Sequence, residues 1–202
     1  MDYSLLAHIA LGIALSATAG FRVFVPMLAG ALAGHFGIIN LSADMAWLSS
    51  WPAIIAFGTA AVLEIVAYYI PFVDNALDAV AAPLSVAAGT VLASSILPID
   101  QQAPIIRWAI ALAAGGTAAG TIQLGTSFLR LFSSKATIGT GNPILATTEN
   151  AAAITGSVLA FIIPIIVALV LVLFTIWILS KAGRMWKKNR DKQLPHAHEH
   201  HH

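Results

Sequence analysis

Three carboxylates, those of Glu64, Asp74 and Asp78, lie within fifteen residues of otherwise apolar sequence. A charge at the centre of a membrane span costs about 2.5–3.5 kcal/mol on insertion scales, so such residues normally face a protein interior or a water-filled cavity. Carboxylates are the usual ligands of hard cations and the usual relay groups of proton pumps. The three acids therefore predict either an ion or proton site, or a surface turn in which the aspartates cap a helix and only Glu64 is embedded.

A proline divides this acidic stretch. Pro71 lacks a backbone N–H and clashes with the preceding turn, so the helix that carries Glu64 must kink or end just before it. Asp74 or Asn75 can then cap a second helix, and Asp78 lies on the same face of that helix as Asp74.

Two arginines, Arg22 and Arg130, are each flanked by apolar sequence. A guanidinium in such surroundings pairs with a carboxylate or a phosphate far more comfortably than it stands alone. The first expectation is a structural ion pair from either arginine to Glu64 or Glu149. An arginine that faced a cavity without such a pair would recruit an anion or a lipid headgroup.

The longest polar stretch covers residues 133–150 and includes Asn142. Residues 137–141 resemble part of a potassium-channel filter, but no recognisable pore helix precedes them and Lys135 is an awkward neighbour for a cation filter. We prefer a glycine-rich loop with free backbone donors near Arg130 and Lys135.

A final helix is predicted from residue 151 to about residue 181. Thr147 or Thr148 can cap it, with Glu149 favourably placed in its positive first turn. Its length of about 45 Å exceeds the thickness of a membrane, so it should tilt, kink near Pro164 or project into the cytoplasm.

The composition is that of an integral membrane protein. Of 202 residues, 58% are hydrophobic and 9% are charged, against about 25% charged in an average soluble domain. There is no cysteine, which excludes a disulfide framework, a thiolate nucleophile and a zinc–thiolate site. No Ser-His-Asp order, nucleotide-binding glycine pattern or HExxH motif is present, so we expect no enzyme and no cofactor. The net charge of +1 gives no reason to expect a nucleic-acid partner.

The apolar pattern predicts an all-α protein with five or six membrane-embedded helical segments, several of them broken at glycine or proline. About 20 residues cross a bilayer, so the thirty residues 5–34, interrupted at Arg22 and Pro26, are expected to form a broken helix. A loop with Trp47 and Trp51 should lie at the membrane surface. Gly116 and Gly120 form a small-residue face suited to close helix packing. The remaining segments are 53–70, 75–97, 105 to about 132, and the final helix.

A weak internal echo relates two parts of the chain. Residues 16–22 resemble residues 124–130, and each stretch ends in one arginine. If each half crossed the membrane an odd number of times, the halves would be inverted, as in many transporters. Chance can also produce so short a match.

Residues 1–181 are expected to form one membrane domain, followed by a basic, histidine-rich tail over residues 182–202. The terminal histidines are either a native metal-binding tract or a purification tag, so a metal ligand set is unknown. Because lysine and arginine beside a span are retained in the cytoplasm, we expect a multi-pass inner (plasma) membrane protein with a cytoplasmic C-terminus. Helices rich in alanine and glycine suggest a homo-oligomer.

Three elements together resemble an uncharacterised bacterial integral membrane family, called domain of unknown function 4126. The resemblance covers nearly the whole chain up to about Lys181 and implies a compact multi-span protein, without assigning chemistry to its polar positions. Where members of the family commonly carry an acidic residue after the final glutamate, this chain has Asn150. The three elements are Gly20-Phe21-Arg22 with Pro26, Glu64 to Asp78 with Pro71, and Gly139 to Pro143 with Thr148-Glu149-Asn150.

These observations favour a small transporter or channel-like permeation protein that carries a small ion or solute through a polar intramembrane site. The alternative is a structural or lipid-binding membrane protein without transport activity, in which every charge is paired or lies at headgroup depth and no polar cavity is enclosed. The first hypothesis requires Glu64 and Glu149 to lie within about two helix diameters, near 20–24 Å. Its predicted site consists of Arg22, Glu64, Asp74, Asp78, Arg130, Asn142 and Glu149.

Overall fold

Every regular element of the chain is helical in the part that the structure, a computed structural model, describes: residues 5–70, 73–98, 103–137 and 141–193. This confirms the predicted all-α fold. In chain order the elements are α1 (Leu5–Thr18), α2 (Phe24–His35), a 3-10 helix (Ala43–Ser49), α3 (Trp51–Ala67), α4 (Val73–Ile96), α5 (Pro104–Ala111), a π-helical segment (Leu112–Gly116), α6 (Thr117–Thr137), α7 (Asn142–Ile162) and α8 (Pro164–Gln193).

Four helical stretches of the described chain are long and apolar enough to cross a membrane. A fifth is added if the 3-10 helix and α3, which meet at 59°, are counted as one bent span. Exposed leucine, isoleucine and valine side chains cover the outer faces of these helices, as expected where lipid replaces water. The four stretches are Ala76–Ile96, Pro104–Ser133, Asn142–Ile162 and Pro164–Arg184.

The first apolar segment is broken where the sequence predicted. Helix α1 ends at Thr18 and α2 begins at Phe24, with Pro26 in its first turn, where its missing N–H leaves no helical hydrogen bond unmade. With 14 and 12 residues, the two helices are only about 21 and 18 Å long, so neither alone spans a hydrocarbon core of about 30 Å.

Helices α1 and α2 form a re-entrant hairpin whose outer ends lie on one side of the bundle. Gly12 of α1 packs on Leu97 at the end of α4, and Gly34 of α2 packs on Ser49 before α3. The backbone N–H of Ser42 donates to the carbonyl of Ser95, which ties these two ends together. The hairpin tip, residues 19–23, therefore lies inside the bundle.

Helix α4 and the π-helical segment come into contact at glycines, where their backbones are closer than any larger residue would permit. A Cβ atom added to Gly89 would lie 2.6 Å from the carbonyl oxygen of Gly115. One added to Gly116 would lie 2.5 Å from the Thr90 hydroxyl, and one on Gly120 would lie 2.6 Å from Val86. The close packing predicted for Gly116 and Gly120 is confirmed.

The prediction for the end of the chain is wrong in one respect. Two helices, α7 and α8, replace the single final helix, and they meet at Ile163, immediately before Pro164. Thr147 and Thr148 do not cap a helix, because α7 already begins at Asn142 and each threonine hydroxyl donates to a carbonyl one turn earlier. A proline in the first turn, Pro143, favours that earlier start.

Several predicted features fall outside the described residues. The kink at Pro71, most of the glycine-rich loop at residues 138–140, the turn at residues 99–102 and the terminal histidines at residues 194–202 belong to this group.

Candidate functional site

Arg22 lies at the tip of the re-entrant hairpin, with only 1% of its surface exposed. Its Nε donates to Asn150 Oδ1 at 2.6 Å, and its Nη1 donates to Glu149 Oε2 at 2.7 Å. Nη1 also donates to the carbonyl of Phe21, and Nη2 donates to the carbonyl of Ala146 at 3.2 Å. The guanidinium is therefore held by α7 on several sides.

Arg130 approaches the same carboxylate from α6. Its Nη2 donates to Glu149 Oε2, its Nε donates to Glu149 Oε1 at 3.2 Å, and its Nη1 donates to Asp78 Oδ1 at 3.2 Å. One buried glutamate thus binds two arginines from two different elements. This confirms the expected structural ion pair and identifies Glu149 as the acidic partner.

Tyr68 supplies an aromatic surface to both arginines. The guanidinium carbon of Arg22 lies 3.9 Å from the centre of its ring, and that of Arg130 lies 4.0 Å away. Both positions are within cation–π range. The tyrosine hydroxyl donates to Asp78 at 3.5 Å, so Tyr68 contacts both arginines and one of the carboxylates.

Amide groups join the beginnings of α4 and α7 beside this cluster. Asn142 Nδ2 donates to Asp74 Oδ2 at 3.1 Å, and Asn150 Nδ2 donates to the Tyr69 hydroxyl at 3.2 Å. Because α4 begins at Val73, Asp74 and Asn75 lie inside the helix and do not cap it as predicted; in the first turn the negative charge of Asp74 interacts favourably with the helix dipole. Asp78 follows one turn later and reaches Arg130.

Glu64 binds the backbone of the hairpin. Its Oε1 accepts from Val23 N at 2.8 Å and its Oε2 accepts from Phe24 N at 3.0 Å. Helix α2 has no side-chain cap of its own, so this glutamate of α3 satisfies the otherwise free donors at its start. Among the described residues, no cationic side chain lies within ion-pair distance of Glu64. The predicted alternative, an ion pair between Glu64 and an arginine, is therefore not formed.

The structure therefore brings the predicted residues together. Arg22, Asp78, Arg130 and Glu149 are in direct contact, and Glu64 binds the two residues that follow Arg22. This places Glu64 and Glu149 well inside the required 20–24 Å. Asp74 and Asn142 pair with each other one turn from Asp78. That the group binds a solute stays a prediction.

The cluster lies nearer to one end of the spanning helices than to the other. Glu149 is thirteen residues from the end of α7 and seven from its beginning, or about 20 Å and about 10 Å along the helix axis. Arg130 likewise lies only three residues before Ser133, where its apolar stretch ends, so the charges are buried but close to one end of the bundle.

A short polar ladder continues from the cluster toward the middle of the bundle. Ser85 Oγ donates to Gln123 Oε1 at 3.3 Å, and Gln123 Nε2 donates to Ser127 at 3.1 Å. Gln123 precedes Arg130 by two helical turns. The ladder then meets the close contact between Gly89 and Gly115, which leaves no room for a side chain.

A third buried arginine occupies the opposite end of the bundle. Arg107, at the start of α5, donates from Nη1 to Asp44 Oδ1 at 2.8 Å and from Nη2 to Asp44 Oδ2. Its Nε has no hydrogen-bond partner within the described part of the chain. Sequence reasoning missed Arg107, although the same signal that identified Arg22, a single arginine in apolar sequence, was available. Tyr68 carried no comparable signal.

An open groove of about 260 Å³ lies between the start of α2, α3 and α4. Its polar lining residues are Glu64 and Tyr68, and Leu63, Val80 and Leu84 at its wall are exposed on the outer surface of the bundle. The groove therefore opens toward the position of the lipid. Among the described residues, no group of three or more histidine, aspartate or glutamate side chains is placed to hold a metal ion.

Several apolar helices around a buried charge cluster define a multi-pass α-helical membrane protein. A sequence profile of the family described as "Domain of unknown function (DUF4126)" matches residues 9–183, and the chain belongs to this family. No curated protein and no solved structure matches the chain.

Proposed function

We propose that this protein is a small transporter or channel-like permeation protein in which the Arg22–Glu149–Arg130 cluster is a closed gate. The observation that carries this proposal is one buried glutamate shared by two arginines, one of them on the tip of a re-entrant hairpin. Ionisable groups inside a membrane are costly and mark solute or proton pathways by default.

The connections of the hairpin support a gating role. Its helices are too short to span, and its tip is attached to α7 through Arg22 and to α3 through Glu64. Withdrawal of the tip would separate Arg22 from Glu149 and expose the ladder of Ser85 and Gln123 behind Arg130. A small ion or solute that competes for Glu64 or Glu149 would favour this opening, because it binds the open state better than the closed state.

A liposome flux assay with the full chain tests this proposal. Cations, anions and polyamines are offered to wild type, Glu149→Gln and Glu64→Gln, with Leu173→Trp on the exposed face of α8 as a matched control. We expect flux of one solute class through wild type and the control, a raised leak in Glu149→Gln, and reduced flux in Glu64→Gln. Equal flux in all four proteins across every solute would refute the proposal.

A structural or lipid-binding role is the second candidate, favoured by two observations. Both arginines of the cluster form ion pairs with carboxylates, and the groove beside it is almost entirely apolar. This role predicts that Glu149→Gln lowers the melting temperature without changing the flux of any solute.

A further inference from the structure

The groove beside α3 contains one carboxylate in an otherwise apolar wall, apart from Tyr68. Residues from three elements form it, and its volume of about 260 Å³ is slightly below the range of about 300–1,000 Å³ typical of small-molecule pockets, which suits a small ligand. Leu63, Val80 and Leu84 are 63%, 48% and 43% exposed, so a ligand can enter sideways from the lipid.

The charges around the groove favour a cationic ligand. The described cluster contains two guanidiniums, of Arg22 and Arg130, and four carboxylates, of Glu64, Asp74, Asp78 and Glu149, so its formal charge is −2 when all are ionised. Glu149 and Asp78 contact the arginines directly. Glu64 instead faces the start of α2, whose dipole supplies only about half a positive charge.

A neutral acyl chain or an anion suits this groove less well. A purely apolar occupant would cover the Glu64 carboxylate without any compensating charge, which is costly in a site without water. An anion would be repelled by the same group. Phe24 also lines the groove, and an aromatic face attracts alkylammonium groups.

We infer that the groove binds a lipophilic cation, an amine or quaternary ammonium with a small apolar body, whose charge lies next to Glu64. The apolar part occupies the wall formed by Leu63, Val80 and Leu84. This inference names a solute class for the proposed permeation function and rests on that function only where movement across the membrane is concerned.

Binding at this position would be transmitted directly to the cluster. Glu64 holds the N–H groups of Val23 and Phe24, the two residues that follow Arg22 in the hairpin. A cation that draws the carboxylate into the groove weakens its hold on the tip. Glu64, which would contact the ligand, therefore binds the residue directly after Arg22, and Arg22 is the partner of Glu149.

Calorimetric titration of the detergent-solubilised full chain tests the inference. The probes are octyltrimethylammonium, octanesulfonate and octanol, and the variants are Glu64→Gln, Leu84→Trp and Leu173→Trp. Leu84→Trp fills the groove from the lipid side, and Leu173→Trp places the same bulk on α8 away from it. Helix content and monodispersity are measured for each variant, so that misfolding is separated from loss of binding.

We expect saturable binding of the ammonium probe to wild type and Leu173→Trp. Glu64→Gln should weaken it by about tenfold or more, because one full charge interaction is lost, and Leu84→Trp should abolish it. Unchanged binding in folded Leu84→Trp or Glu64→Gln would overturn the inference, as would equally tight binding of octanesulfonate. If Glu64→Gln does not fold, Leu84→Trp and the probe comparison decide.

Parallel flux measurements separate this inference from the proposed function. Glu64-dependent binding of the ammonium probe without flux of any solute would retain the binding site and refute permeation. Flux of another solute that depends on Glu149, without binding of the ammonium probe, would retain permeation and refute the cation site.

Discussion

Removal of the shared carboxylate should affect its two arginines unequally. In Glu149→Gln, Arg130 keeps Asp78 as a partner at 3.2 Å, whereas Arg22 keeps only the amide oxygen of Asn150 and two backbone carbonyls. Breaking a buried ion pair by removing one partner costs about 3–5 kcal/mol, because a charge is left uncompensated. At about 2–4 °C per kcal/mol for a chain of this size, the melting temperature should fall by about 6–20 °C.

A double-mutant cycle measures which arginine depends on Glu149. The chain is purified in detergent, and the melting temperatures of Arg22→Met, Arg130→Met, Glu149→Gln and the two corresponding double variants are compared. We expect the Arg22–Glu149 coupling energy to exceed the Arg130–Glu149 coupling energy by about 1 kcal/mol or more, because Arg130 has a second carboxylate. A larger coupling for Arg130, or a melting temperature unchanged in Glu149→Gln, would refute this account of the cluster.

Three further predictions concern other parts of the molecule. Tyr68→Leu should lower the stability by about 1–2 kcal/mol in thermal unfolding, because both guanidiniums lose their aromatic face, whereas Tyr68→Phe should cost much less. Gly115→Ala should cost about 1–3 kcal/mol by forcing apart helices in backbone contact, while Gly183→Ala, with open space around it, should be neutral or slightly stabilising in the same assay. Asp44→Asn should lower the melting temperature and increase proteolysis before α3, because Arg107 then lacks its carboxylate; unchanged cleavage would contradict a tethering role for this pair.

The residues of the cluster were predictable because single charges in apolar sequence have few stable alternatives to pairing with one another. Arg22 and Arg130 were identified on this basis, with Glu149 as a possible partner, whereas the break near Arg22 was predicted from the length of the apolar segment and from Pro26. The same reasoning did not show that Glu64 binds backbone N–H groups, because the free donors appear only when a helix start is placed beside it.

The polar stretch at residues 133–150 was misread for a different reason. Threonine and asparagine are typical of loops in isolation, but here they lie in the first turns of α7 around Arg22 and Tyr69. Tertiary partners outweigh local propensity in such a segment. A full break at Ile163 was not among the outcomes expected for the final helix, which were a tilt, a kink near Pro164 or projection into the cytoplasm; a kink and a full break differ in only a few backbone angles.

The re-entrant hairpin also has a consequence for the order in which the protein assembles. Arg22 is made 127 residues before its carboxylate partner, an interval of about 6–25 s at ribosomal speeds of about 5–20 residues per second. During that time the nascent arginine has no acidic partner from α7, so its insertion into lipid is unfavourable. The hairpin should therefore be among the last elements to reach its final position, after synthesis of α7.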